Sequence, residues 1–453
     1  LFGEGALSAA FIPVFASALE REGLEAAQTL ARRIATMLAT ALLAIVAGVI
    51  IIAAVLLTSA DLGVRVRAVL PLLQIMMPYM FFICLVAFCM ALLNTFHHFA
   101  LPAATPVLLN LVWIAVLILI CPRMGDAPSE RIYGVAWGIV GAGVLQLAVQ
   151  IPVLARYGVT LRPVFRWRDA RVRKVLWLMA PAALGMGVMQ VNVLLDGVLA
   201  LWVGSWAPAA LTYAERLIYL PLGLFGTAMG TVLLPALSRQ AARGESEAMV
   251  RTLREGMAAL LLIVVPASIG LLALAAPIVE LAFVWEGGEF DADSLLLTVR
   301  ALVFYAPGLV TFSVYKLIVP VFYAKQDTRT PMRVGAAMVG LNVVLNVTFI
   351  LTWPNGYEHA GMAFATVLCS VLNCMVLAFL LKRRIPLPVG WGYMLGVAVR
   401  CLAAAAAMAA VAVAVHHGLA RATAGLAWSA KLSQAVSVLT AIAAAVAVYV
   451  ALA

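Results

Sequence analysis

Four basic residues, Arg216, Arg300, Lys316 and Arg400, stand inside long apolar runs. An ion at mid-bilayer costs at least ~2.5 kcal/mol, so such residues face a wet cavity or a partner. Arg216 is the most informative. It follows Glu215 in TYAERLIYLPLGLFGTAMGTVLLPALS, where Gly223, Gly226 and Gly230 allow close helix approach or a bend beside a cavity. A guanidinium there can hold a phosphate of an anionic substrate in its bidentate fork, or it can snorkel and pair with Glu215. Asp196 lies deep in QVNVLLDGVLA, with Asn192 one turn earlier on the same face. Asn342 and Asn346 form a second such pair in GLNVVLNVTF, and Thr366 and Asn373 lie in the next run. Carboxylate, amide and hydroxyl oxygens together can bind Na⁺, and the carboxylate can take a proton; either would couple transport to an ion gradient. The alternative is hydrogen-bonding glue between helices. Arg300 and Arg400 read as structural. Glu4, in FGEGALSAAF, can meet a basic residue of a preceding segment, Arg216, or headgroup water.

Other chemistry is missing from the pattern. The phosphate-cradling GxxxxGK[ST] loop is absent, and no Ser/His/Asp set or paired carboxylates suggest an enzyme. The six cysteines lie in or beside apolar runs without metal-ligand spacing, and His97, His98, His416 and His417 sit at span ends. The expectation is a non-enzyme without a cofactor beyond Na⁺ or H⁺.

The elements that position these residues follow from composition. Of 453 residues, 65% are hydrophobic and 11% charged, with a mean hydropathy of +1.08. Soluble domains average about 45–50% apolar and about 25% charged. A soluble, disordered or disulfide-stapled chain is excluded. Apolar runs of membrane-spanning length predict thirteen helices, at 1–19, 34–58, 68–96, 101–121, 133–155, 175–203, 208–237, 256–285, 295–324, 331–353, 360–381, 389–415 and 430–453. The net charge of +10 is a topology signal rather than a nucleic-acid surface. Alternate loops, at 20–33, 156–174, 239–254, 325–333 and 382–384, hold 20 of the 30 Lys and Arg, which places them in the cytoplasm. The loop at 286–294, with Glu286, Glu289, Asp291 and Asp293 and no base, suits the far side. The basic stretch at 156–174 reads as a surface helix near anionic headgroups, or as a site of substrate capture.

An internal repeat organises the chain. Phe2-Gly3, Pro13, Gly23, Glu25 and Ala26 are echoed by Phe225-Gly226, Pro235, Gly244, Glu247 and Ala248, and Pro102 by Pro331. The echo predicts an N-terminal lobe at 1–157, a basic cytoplasmic linker at 158–174, a C-terminal lobe at 175–384 and two extra helices at 385–453. The repeat also calls for about 50 residues and one span before Leu1, making thirteen helices of an expected fourteen. That helix would line the same cavity, and without it the first lobe would show an open flank beside residues 1–19.

At FGEGALSAAFIPVF, ALLNTFHHFALPAATPVLLN, YAERLIYLPLGLFGTAMGTVLLPALS and FYAKQDTRTPMRV the chain closely resembles the MurJ (MviN) family. These are lipid II flippases of bacterial peptidoglycan synthesis, in the multidrug/oligosaccharidyl-lipid/polysaccharide (MOP) exporter superfamily. The resemblance implies an all-α polytopic membrane protein, a MOP-type two-lobed bundle around a cationic cavity, with the C-terminal helix pair forming a lipid-facing groove. It implies a monomeric inner-membrane carrier that moves lipid II outward by alternating access among membrane lipids. Glu4 matches the glutamate of the family's EGA motif, Arg216 matches the cavity arginine of its A-[DE]-R-L motif, and Glu215 stands where many members have Asp. Substrate contacts are therefore expected at Arg216, Glu215, Glu4 and Lys316, and cation coupling at Asp196, Asn192, Asn342, Asn346 and Thr366. The alternatives are a polysaccharide-lipid flippase or a multidrug exporter of the same superfamily, or a non-transporting scaffold. An exporter of cationic drugs would favour acidic cavity residues, whereas Arg216 and Lys316 are basic.

Overall fold

Backbone polar groups in lipid must be satisfied within their own segment, and the elements of this chain among the described residues are helices. The computed structural model describes residues 15, 18–58, 63–96, 98–164, 190–285, 287–325, 327, 329–384, 390–423 and 429–452. Glu4, nearly all of the span at 1–19 with its expected open flank, His97, Glu286, the basic stretch beyond residue 164 and the start of the span at 175–203 lie outside the described residues. Among the described residues nine helices are long and apolar enough to cross a membrane, and a bent pair makes a tenth. The chain divides into two compact units, Leu1–Gly187 and Val188–Ala453.

In the first unit, α1 (Leu24–Leu57), α2 (Val64–Thr95) and α4 (Pro128–Arg156) pack side by side through α2. The third helix, α3 (Ala100–Ala115), lies on α4 and runs on through a π turn (Val116–Ile120) and a 3₁₀ turn (Cys121–Arg123). Gln146 donates to the Thr105 carbonyl at 2.8 Å and Gln150 to its hydroxyl at 3.1 Å, pinning α4 to α3. Leu43, Ile45, Ile51, Ile52 and Val55 of α1 are exposed, an apolar face that water would not tolerate and lipid does. The first helix begins ten residues before its apolar run because its polar turns find partners. Gln28 donates to the Gly158 carbonyl at 2.5 Å, Arg32 Nε to the Thr160 carbonyl at 3.0 Å and its guanidinium also to the Thr160 hydroxyl, and the Val164 amide donates to Thr36 Oγ1 at 2.8 Å. Residues 158–164 are thereby strapped along α1.

The second unit contains α5 (Gln190–Val203), α6 (Ala207–Pro221), α7 (Ala228–Ala242), α8 (Ser246–Ala273), α9 (Ala275–Phe283), α10 (Ala292–Tyr305), α11 (Gly308–Ala324), α12 (Arg329–Thr352), α13 (Glu358–Arg384), α14 (Trp391–Thr423) and α15 (Ala430–Leu452). Its core, including Leu253, Leu260, Val264, Leu302, Leu317 and Phe322, gathers where α11 packs on α7, α8 and α13. The fourteenth and fifteenth helices pair with each other, α14 against α8 and α15 against α9. Lys431 donates to the carbonyls of Glu280 (2.8 Å) and Leu281 (3.1 Å), closing the C-terminus of α9 with a cation, as its dipole prefers.

Two expected spans are broken. The run at 295–324 becomes α10 and α11, bent by 45°. Pro307 has no N–H to bond the turn before it, and the Ser268 hydroxyl donates to the Ala306 carbonyl at 2.7 Å. The run at 256–285 becomes α8 and α9, because Pro277 cannot bond back to residue 273. Between α6 and α7 lies a π-helical segment, Leu222–Thr227, directly after Pro221. Gly226 within it and Gly230 beyond it let α11 approach: a Cβ at Gly230 would stand 2.7 Å from the Lys316 carbonyl oxygen. Gly23 (φ 87°) and Gly244 (φ 72°), paired by the sequence repeat, both take a positive φ just before a long helix. Asp291 caps α10 by accepting from the Ser294 amide at 2.8 Å, and that backbone hydrogen bond holds its carboxyl below the usual carboxylate range.

Candidate functional site

A cavity of about 600 Å³ opens within the second unit between α5, α6, α10, α11, α12 and α13. It is in the size range of small-molecule sites. Seven of the nine expected site residues line it: Asn192, Asp196, Glu215, Lys316, Asn342, Asn346 and Thr366.

Each is delivered by its helix. Asn192 and Asp196 are one turn apart on α5, and the Asn192 amide donates to Asp196 Oδ2 at 3.1 Å. From α12, Asn346 Nδ2 donates to Asp196 Oδ1 at 2.7 Å and to Asn342 Oδ1 at 3.1 Å. Asn342 in turn donates to the Thr366 hydroxyl on α13 at 3.4 Å, and that hydroxyl donates to the Met362 carbonyl at 3.2 Å. A chain of oxygens and amides thus ties three helices to one carboxylate. Asn346 is 1% exposed, and its Oδ1, like Asn192 Oδ1, is buried without a hydrogen-bond partner. Orphaned oxygens beside a carboxylate are the donors a hard cation takes.

Glu215, from α6, accepts a hydrogen bond from the buried Tyr305 hydroxyl of α10 at 3.1 Å. Tyr219, one turn further along α6, and Tyr315 of α11 also line the cavity. Sequence reasoning missed these three tyrosines. A tyrosine in an apolar run reads as packing, and the only signal for Tyr305 is a hydroxyl that must find a partner when buried.

Arg216 is exposed and lies outside this cavity. Adjacent residues on a helix point about 100° apart, so Glu215 turns inward and Arg216 does not. Among the described residues neither Arg216 nor Lys316 forms an ion pair. Arg300 donates to the Gly356 carbonyl at 2.8 Å and lies 4.1 Å over the Tyr357 ring, clamping the turn between α12 and α13. Sequence reasoning passed over His359. Its Nε2 contacts the Leu297 carbonyl at 2.9 Å, and its ring meets Trp206 edge-on.

The model of the family described as "Lipid II flippase MurJ" matches residues 1–448. A Vibrio cholerae protein described as "Probable lipid II flippase MurJ" is 37% identical over 306 residues, which cover 68% of this chain and 56% of that protein. A Burkholderia cenocepacia protein described as "Lipid II flippase MurJ" is 32% identical over 393 residues, covering 85% of this chain and 74% of that one. The chain thus spans little more than half of the first relative's length. Among solved structures, "Lipid II flippase MurJ, inward closed conformation" superposes with a TM-score of 0.76 at 22% identity, over 99% of this chain and 87% of that one. An inward-facing multidrug resistance MATE family transporter of the MOP superfamily superposes with a TM-score of 0.68 at 15% identity, over 84% and 86% of the two chains. The fold is that of these transporters.

Proposed function

Because the chain belongs to the MurJ family of lipid II flippases, we propose that it moves lipid II from the cytoplasmic to the periplasmic leaflet of the bacterial inner membrane, which it crosses many times. The match of the family model over residues 1–448 carries this reading. The headgroup passes through a polar interior while the polyprenyl tail stays in lipid, and two states of the protein open that interior to opposite sides. The protein carries its substrate without altering it, acts as a monomer, and meets membrane lipids along its exposed apolar faces. Arg216 is the phosphate contact in this reading, since its guanidinium is exposed and unpaired among the described residues. The test is expression of the gene in a flippase-depleted bacterium, with lipid II measured at the outer leaflet. A well-expressed protein that restores no export refutes it.

The same reading gives the Asp196 network the driving ion. The Asp196 carboxylate, the two orphaned amide oxygens and the Thr366 hydroxyl supply hard oxygen donors from α5, α12 and α13, which suits Na⁺. Asp196→Asn should abolish sodium dependence of transport while the protein still folds. Unchanged sodium dependence would return the network to helix-to-helix adhesion.

Among the described residues that line this cavity, two carboxylates face one ammonium, with Arg216 outside it. That balance is what an exporter of cationic compounds would present, and the family match favours lipid II.

A further inference from the structure

Three charged side chains line the cavity among the described residues, and none pairs with another. Among the described residues Lys316, Glu215 and Asp196 form no ion pair. Asp196 is held by the amides of Asn192 and Asn346, with orphaned oxygens beside it that a cation would complete. Glu215 and Lys316 are left over. Glu215 is half-buried and gives up part of its hydration, Lys316 is exposed along the same cavity, and neither neutralises the other. A ligand that brings both signs neutralises both.

The surroundings assign the signs. Glu215 sits among Tyr305, which donates to it at 3.1 Å, and Tyr219. A carboxylate flanked by aromatic rings suits an alkylammonium. Lys316 presents three N–H donors and no acceptor, which suits a carboxylate. A cavity of about 600 Å³ takes a drug-sized ligand, one branch of a large headgroup and not the whole.

We propose that this cavity is a zwitterion subsite that receives the peptide branch of the transported headgroup, its primary ammonium on Glu215 and a carboxylate on Lys316. The inference rests on the lipid II reading, whose substrate carries a peptide with a free side-chain amine and free carboxylates. Discrimination by peptide chemistry then resides in α6, α10 and α11, apart from the sodium donors proposed on α5, α12 and α13.

The experiment uses the full chain in proteoliposomes and three lipid-linked precursors: native, acetylated at the peptide amine, and amidated at the peptide carboxylates. The wild type should move the native precursor at least tenfold faster than either modified one. Glu215→Gln should move native and acetylated precursors at one reduced rate, yet still discriminate against the amidated one. Lys316→Met should show the reverse pattern. Tyr305→Phe keeps the ring and drops only the hydrogen bond to Glu215; it should narrow the preference for the free amine several-fold, and serves if Glu215→Gln fails to fold. Equal wild-type rates for all three precursors overturn the inference and leave the flippase reading standing. Discrimination against the acetylated precursor that survives in Glu215→Gln also overturns it. A wild type that moves no precursor overturns the flippase reading and this inference with it.

Discussion

Gly230→Ala should destabilise the second unit through one contact. The added Cβ would lie 2.7 Å from the Lys316 carbonyl oxygen, about 0.7 Å inside the 3.4 Å at which ordinary contact begins. The obstacle is main chain, so no rotamer change relieves it, and α7 or α11 must move. Overpacking of this kind costs about 1–3 kcal/mol. Replacing a helical glycine by alanine recovers about 0.5–1 kcal/mol of backbone entropy, which leaves a net loss of up to about 2.5 kcal/mol. Gly340, in α12, is the control: a Cβ there meets nothing within 4 Å, so Gly340→Ala should gain about 0.5–1 kcal/mol. Reversible denaturant unfolding in mixed micelles, read at the midpoint, separates the two. The blocked oxygen belongs to Lys316, which lines the cavity, so Gly230→Ala should also slow transport more than its stability loss explains. A Gly230→Ala protein as stable as Gly340→Ala would refute the close approach of α7 and α11.

Arg216→Ala should abolish export and Arg216→Lys should keep part of it, since charge survives while the bidentate fork is lost; full activity of the alanine variant at normal expression would remove Arg216 from the substrate path. Arg32→Met should free the strap at 158–164 at a cost of about 1–2 kcal/mol, seen as faster hydrogen exchange there, and unchanged protection would mean that the strap holds without it. Asp291 caps α10 with a carboxyl held below its usual range, so its contribution is full above the ordinary carboxylate range and is lost as pH falls through the lowered folded value. Protection of the Ser294 amide should therefore fall at acidic pH in the wild type and stay flat in Asp291→Asn, a cap that does not titrate; identical pH profiles would count against the cap.

How much could be read beforehand varied with the range of the interaction. The i, i+4 spacing of Asn192 with Asp196 and of Asn342 with Asn346 is local, so both pairs were visible. That Asn346 reaches Asp196 across 150 residues is a property of helix packing that spacing does not encode. Arg216 drew attention as the costlier ion, yet the phase of α6 turns its neighbour Glu215 into the cavity. Helix starts erred where polar residues continued the helix: Gln28 and Arg32 lie outside the apolar run of α1 but are satisfied by Gly158 and Thr160. The breaks near Leu274 and Ala306 lie inside unbroken apolar runs, where hydropathy is blind and only Pro277 and Pro307 speak.

The π segment at Leu222–Thr227 has a consequence for descent. A turn closed by i→i+5 bonds holds one residue more than an α turn over the same path, so it absorbs a residue without turning the helix on either side. Between Tyr219 and Gly230 but outside that segment, gaining or losing one residue would swing Glu215 and Tyr219 about 100° relative to the Gly230 seam. At 222–227 the same change can leave both faces in place. Lineages can therefore drift in length at this one point while keeping the cavity and the seam, and a one-residue gap between homologues through this helix belongs there.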